Sequence, residues 1–117
     1  FENGTLIFRQ VLDFDHLHKG ALGVLEPTQH EPELTSGEGD VVLVPGRAFD
    51  RTGNRMGRGN GGYDKWICKQ RQMNPETQFI GIALECQLVN AVPMEEHDER
   101  VDSIATARGL VEAVKEI

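Results

Sequence analysis

The run Arg55-Met56-Gly57-Arg58-Gly59-Asn60-Gly61-Gly62-Tyr63-Asp64 concentrates groups able to do chemistry in this chain of 117 residues. Glycine admits positive φ and lets backbone N–H groups approach a ligand closely. Several N–H groups turned to one side form an anion nest, and a helix starting near Gly62 would add the positive end of its dipole. Arg55 and Arg58 bring forked, charged donors that match phosphate oxygens. Asp64 closes the run with a carboxylate. Together these residues have the makings of a phosphate site, although the same composition also suits a flexible surface loop. The run is not a Walker A loop, because no Gly-Lys-Ser/Thr follows the glycines.

The remaining candidates are scattered. Asp98 lies in the acidic stretch 95–99, where a solvated surface role is the plain alternative to metal binding. Asp50 could orient Arg55 or Arg58, or cap a turn. Phe49 and Tyr63 could wall an apolar ring pocket or simply pack in the core. Trp66 reads as core. His16, His18, His30 and His97 have no metal-ligand spacing with Cys68 or Cys86. Among them His97, next to Asp98, is the one placed near a site. Glu26, before Pro27, could reach a substrate or shape a loop. No Ser-His-Asp or Cys-His arrangement for nucleophilic catalysis is present.

The elements that must carry these groups read as follows. Residues 5–11 (TLIFRQV) follow an Asn-Gly turn signal and read as a strand. Residues 28–39 are a polar loop. Residues 40–44 (DVVLV) are a continuous β-branched run, expected as a strand buried on both faces. Pro45-Gly46 stops it, and a long turn segment covers 47–62. Residues 63–72 place Tyr63, Trp66, Ile67 and Gln70 at helical spacing, and Asn74-Pro75 ends the helix. Residues 79–84 (FIGIAL) form a second buried strand and 102–106 a third. Residues 109–117 read as a helix with Leu110, Val111, Val114 and Ile117 on one face. Buried strands alternating with helices indicate an α/β fold with a mostly parallel sheet flanked by helices. The length fits a single domain over residues 1–117.

A net charge of -7 argues against a nucleic-acid or membrane-surface binder, so no nucleic acid and no membrane are expected as partners. An anionic ligand would need the local cluster Arg51, Arg55 and Arg58. Two cysteines fit free thiols in a reducing compartment. No run is long enough to span a bilayer, and no signal-peptide pattern appears.

Several segments resemble the 5-formyltetrahydrofolate cyclo-ligases, also called methenyltetrahydrofolate synthetases. Residues 40–64 are similar to that family's signature, a strand ending in Pro-Gly, an Ala-Phe-Asp triplet and an Arg-x-Gly-x-Gly-x-Gly-Tyr-Tyr-Asp loop. Residues 23–27 (GVLEP) resemble its Gly-Ile-Leu-Glu-Pro. Residues 92–98 (VPMEEHD), with Val101-Asp102, resemble its Pro-x-Glu-x-His-Asp and following Val-Asp. Gly62 departs from the family, replacing the first tyrosine of Tyr-Tyr-Asp, and Ala107 replaces a frequent acidic residue. Family members also carry an N-terminal helical segment ahead of the Glu-Pro motif. The residues before Gly23 here have no helical pattern, so 1–117 is expected to be the C-terminal catalytic and nucleotide-binding part.

The resemblance implies a cyclo-ligase-like fold of the NagB/RpiA/CoA-transferase α/β type. It implies ATP and 5-formyltetrahydrofolate as ligands, with Mg²⁺, and a cytoplasmic location, the mitochondrion being the alternative. Nothing indicates the oligomeric state. By the resemblance, Arg55, Gly57, Arg58, Gly59, Asn60, Gly61, Gly62 and Tyr63 bind the nucleotide. Arg55, Arg58 and Tyr63 act on the reacting groups, and Asp64 and Asp98 hold the metal. The implied reaction gives 5,10-methenyltetrahydrofolate, ADP and phosphate. Phosphoryl transfer is mostly positioning and charge stabilisation, which suits a site without a nucleophile. The alternative from another class is a non-catalytic cyclo-ligase-like nucleotide or folate binder, or an inactive paralogue.

Overall fold

A computed structural model of the chain describes residues 2, 5–20, 23–34, 41–57 and 61–114. Its contacts form two compact units, Phe1–Thr35 and Ser36–Ile117.

In the first unit, β1 (His18–Lys19) pairs antiparallel with β2 (Leu25–Glu26), His18 opposite Glu26. Arg9 grips Glu2 through bonds of 2.8–3.0 Å and donates to the Glu31 carbonyl at 2.9 Å. The strand expected over 5–11 is not formed. Thr5 and Arg9 make only isolated bridges, to Glu2 and Glu33. Thr5, Ile7, Phe8 and Val11 supply β propensity, but strand stability comes from neighbours along a ladder, and no described strand runs beside this segment.

The second unit is α/β. Its sheet has the order β3 (Val41–Val44), β6 (Gln78–Ile82), β7 (Ser103–Thr106), β8 (Gly109–Glu112). The first three strands are parallel, and β8 turns back antiparallel to β7. Between β3 and β6 lie a small hairpin, taken up below, and helix α1 (Gly62–Met73). The helix has Asp64 in its first turn and Arg71 in its last, both favourable to its dipole. Pro75 excludes helical geometry at Asn74, which is extended at φ -143° and ψ 90°.

α1 packs on the Phe79 side of the sheet. Ile67 and Gln70 are buried, and Trp66 meets Phe79 edge-on at 6.3 Å. The Arg71 guanidinium lies 4.8 Å from the centre of the same ring. Val42 and Val44 share that side through their register with Phe79 and Gly81. With Phe49 and Ile104 they form the core.

Two expectations are corrected. β3 is not buried on both faces: Val41 is 58% and Leu43 59% exposed, while Val44 is fully covered. β3 is an edge strand, and only its Val42–Val44 side is covered. Residues 109–112 are a strand, not the start of a helix. Gly109, at φ +122°, follows the Ala107-Arg108 turn, so Leu110 and Val111 pair with Ala105 and Ile104. Helix-like spacing is only a local preference, and here it yields to pairing with a strand already placed beside it.

Candidate functional site

The site begins where β3 ends. After Pro45-Gly46 the chain forms β4 (Ala48–Phe49) and β5 (Arg55–Met56), an antiparallel hairpin with Phe49 opposite Arg55. The sequence read all of 47–62 as turn, since two-residue strands offer no run to recognise. Phe49 is fully buried. A Cβ on Gly46 would lie 2.8 Å from its ring, and one on Gly81 2.5 Å. The ring is therefore gripped between two backbones, which corrects its candidacy as the wall of a ligand pocket.

Arg55 is also placed differently from the expectation of a loop cation. Its side chain is 6% exposed, and Nη2 stands 3.7 Å from Asp64 Oδ2. Nη1 donates to the Pro45 carbonyl at 2.9 Å. Its guanidinium carbon lies 5.4 Å from the centre of the Tyr63 ring, and its Nε, although buried, has no hydrogen-bond partner among the described residues. A Cβ on Gly57 would approach Nη1 to 2.9 Å. The cation is buried against Gly57 and does not project into solvent. Burial pushes the Tyr63 hydroxyl above its usual pKa, with the Arg55 charge pulling the other way.

Gly57 and Gly61 lie outside strands and helices. Gly61 takes the left-handed conformation, φ +70°, at the N-cap of α1. Gly62, where the family has tyrosine, is the buried first residue of the helix. Arg58, Gly59 and Asn60 fall outside the described residues. Ala107, the other departure, faces solvent in the β7–β8 turn.

The two predicted metal residues are linked through the backbone beside Asp98. Asp64 Oδ1 accepts the Glu99 N–H at 3.0 Å. The peptide joining Asp98 to Glu99 is thus tied to the first turn of α1. Asp98 Oδ2 accepts the Glu95 N–H at 2.9 Å, and its Oδ1 is 3.6 Å from His97 Nε2. Each carboxylate has one oxygen in a backbone bond and the other only in a longer ion pair. Among the described residues no group of three or more His, Cys, Asp or Glu could hold a metal unaided. Two hard oxygen donors that need further ligands suit Mg²⁺, which is commonly bound by one or two carboxylates plus substrate phosphates.

Asp50 caps a turn, and none of the bonds to its carboxylate among the described residues comes from Arg55. Its Oδ1 accepts from Thr52 N at 3.0 Å, Thr52 Oγ1 at 2.7 Å and Asn54 N at 3.1 Å. Its Oδ2 accepts from Asn54 Nδ2 and Val92 N, both at 2.9 Å. Burial raises the carboxyl pKa, but the donors on Val92, Thr52 and Asn54 together outweigh it, and the net shift is downward. Asn54 and Arg100, joined at 2.9 Å, were not among the sequence candidates. The Asp-x-x-Gly-Asn order of residues 50–54 was the one signal for such a side-chain-bonded turn.

Glu26 stands in β2 of the first unit with its carboxyl packed against Gly20. Cys68 and Cys86 are exposed free thiols. Among the described residues no helix is long and apolar enough to cross a membrane.

The sequence model of the 5-formyltetrahydrofolate cyclo-ligase family matches residues 2–107. A mouse (Mus musculus) 5-formyltetrahydrofolate cyclo-ligase is 39% identical over 77 residues, covering 63% of this chain and 37% of that protein. The Escherichia coli K12 5-formyltetrahydrofolate cyclo-ligase is 34% identical over 107 residues, 91% of this chain and 58% of that protein. The solved structure of Aquifex aeolicus 5,10-methenyltetrahydrofolate synthetase superposes on 99% of this chain and 57% of that one, with a TM-score of 0.78 and 26% identity. The chain thus spans between about a third and three-fifths of the length of these relatives. The matched glycine loop, the α/β sheet that carries it and the agreement over nearly all of its residues show that this chain belongs to the 5-formyltetrahydrofolate cyclo-ligase family.

Proposed function

We propose that this chain forms the nucleotide-binding part of an ATP-dependent enzyme that converts 5-formyltetrahydrofolate to 5,10-methenyltetrahydrofolate, ADP and phosphate. The observation that carries the reading is the glycine turn itself. Left-handed Gly61 opens α1 above a buried arginine, and Asp64 in the first turn is tied to the peptide after Asp98. A strand-to-helix turn with a buried cation beneath it and carboxylates beside it favours a metal-bound polyphosphate.

In this reading the backbone N–H groups of Gly57 and Gly61 face the phosphates, and Arg58, Gly59 and Asn60 are assigned to the nucleotide by the family resemblance. Arg55 lends its charge from below and fixes Tyr63 and Asp64. Asp64 and Asp98 would hold Mg²⁺, which when bound neutralises charge on the phosphate oxygens. The formyl oxygen of the folate attacks the γ-phosphorus, forming an O–P bond as ADP leaves. N10 then attacks the formyl carbon, and the C–O bond to phosphate breaks. No protein nucleophile is required. The chain's residues orient the triphosphate for in-line attack, and orientation supplies much of the barrier reduction. The free thiols at Cys68 and Cys86 support a reducing compartment, the cytoplasm.

The test is the methenyltetrahydrofolate absorbance formed from 5-formyltetrahydrofolate, ATP and Mg²⁺. It should be run on this chain and on the product of the gene that encodes it. Product formation dependent on both ATP and Mg²⁺ supports the reading. Absence of nucleotide binding in both preparations contradicts it, and binding without turnover in both would indicate a non-catalytic module.

A further inference from the structure

The acidic loop 93–99 hangs between two limbs, and both limbs lead back to one buried carboxylate. On the incoming side, Val92 N donates to Asp50 Oδ2 at 2.9 Å. On the outgoing side, Arg100 Nε donates to Asn54 Oδ1 at 2.9 Å, and Asn54 Nδ2 donates to that same Asp50 Oδ2 at 2.9 Å. The outgoing limb is held again where Val101 N donates to Gly53 O at 2.9 Å. Gly53, at φ +88°, has no room for a side chain beside the Val101 carbonyl. These bonds cross 42 and 46 residues of sequence, so they fix tertiary position and not a local turn. Asp98 rides on the loop between the limbs, and Asp64 takes the N–H of the next residue.

We propose that Asp50, Asn54 and Arg100 form a brace that sets the spacing of Asp98 from Asp64, which makes Asp50 and Asn54 positioning residues for divalent-cation binding. The inference rests on the metal role given above to Asp64 and Asp98. All five bonds to the Asp50 carboxylate are donated to it, so no neutral amide can replace it without setting donor against donor. Arg100 needs its Nε–H at one defined place, which a lysine cannot supply.

The experiment compares the native chain with Asn54→Ala, Arg100→Ala, Arg100→Lys and the double variant Asn54→Ala/Arg100→Ala. Arg100 is exposed, so its variants are expected to fold. ATP binding is titrated with Mg²⁺ and in excess EDTA, and amide hydrogen exchange is followed without ligand. Each single variant should weaken Mg²⁺-dependent binding, by less than the roughly tenfold that loss of a direct partner of a metal ligand costs. ATP affinity in EDTA should be unchanged, and the Asp98 and Glu99 amides should exchange faster while α1 keeps its protection. Arg100→Lys should behave as Arg100→Ala, and the double variant no worse than either single. Native-like loop exchange and metal dependence in all variants overturns the brace. So does an equal loss of ATP affinity with and without metal accompanied by faster exchange throughout the unit. If native binding shows no Mg²⁺ dependence, the metal role fails, and the loop exchange of Asn54→Ala and Arg100→Lys still decides whether the brace exists.

Discussion

Gly81→Ala puts the packing around the hairpin to a direct test. Gly81 sits in β6 between Val44 and Ile104. Its φ is not positive, so the substitution adds no backbone strain, only a methyl group. That carbon would lie 2.5 Å from one Phe49 ring carbon and 2.9 Å from two more. Carbon atoms prefer about 3.5–4.0 Å, so the ring must retreat by roughly 1 Å. Gly46 closes its other side, and the Phe49 carbonyl is held by Val89 N at 2.8 Å. Forcing a methyl into such a core costs about 1–3 kcal/mol. The lost flexibility of glycine in the unfolded chain returns about 0.4–1 kcal/mol. The expected net loss is about 1–2 kcal/mol, read as a lower urea midpoint at unchanged slope. Phe49→Leu in the same background should recover part of it, so that the double variant is more stable than the sum of the singles allows. Displacing Phe49 also shifts Asp50, so nucleotide affinity should fall with stability. A Gly81→Ala protein as stable as native, or strictly additive with Phe49→Leu, would refute the reasoning.

Other outcomes follow from the same geometry. Gly53→Ala should destabilise by about 1–3 kcal/mol, since its φ of +88° strains any side chain and the Val101 carbonyl occupies the space; calorimetry checks it. Asp50 has a folded pKa below the ordinary carboxylate value of about 3.9, so its stabilising contribution is complete above that value and is lost as pH falls through the folded pKa. The stability gap between native and Asp50→Asn, measured by urea titration, should therefore be wide at neutral pH and narrow in acid. Arg58→Ala should weaken ATP binding by about 1.5–3 kcal/mol, the worth of a charged hydrogen bond, with stability changed by no more than about 0.5 kcal/mol; calorimetric titration and melting separate the two. Residues 1–117 by themselves are expected to bind Mg-ATP weakly and turn over slowly, because they span only 57% of the Aquifex relative and the folate must be oriented as well as the triphosphate. A full rate from this chain in the absorbance assay would contradict that.

What the sequence determined by itself lies within a few residues of chain. Five glycines among residues 57–62 and 53 announce a strand-to-helix turn because few other residues tolerate left-handed backbone. The helix after it ends at Asn74 for the equally local reason of Pro75. β3, β6 and β7 were legible from β-branched and apolar runs, and Asp64 from its place in the first turn. The tertiary structure alone decided the rest. Phe49 looked available to a ligand until Gly46 and Gly81, one of them 32 residues away by number, closed on its ring. Arg55 looked like a loop cation until the hairpin turned it inward to Pro45 and Asp64. Residues 109–112 carry helix-like spacing yet pair with β7, because the Ala107-Arg108 turn brings them back against a strand whose edge offers backbone partners. Asp50, Asn54 and Arg100 have no common motif. Their connection exists only where residues 42 and 46 positions apart meet. Local preferences are written in neighbouring residues, whereas the direction a side chain faces is settled by whatever the fold brings against it.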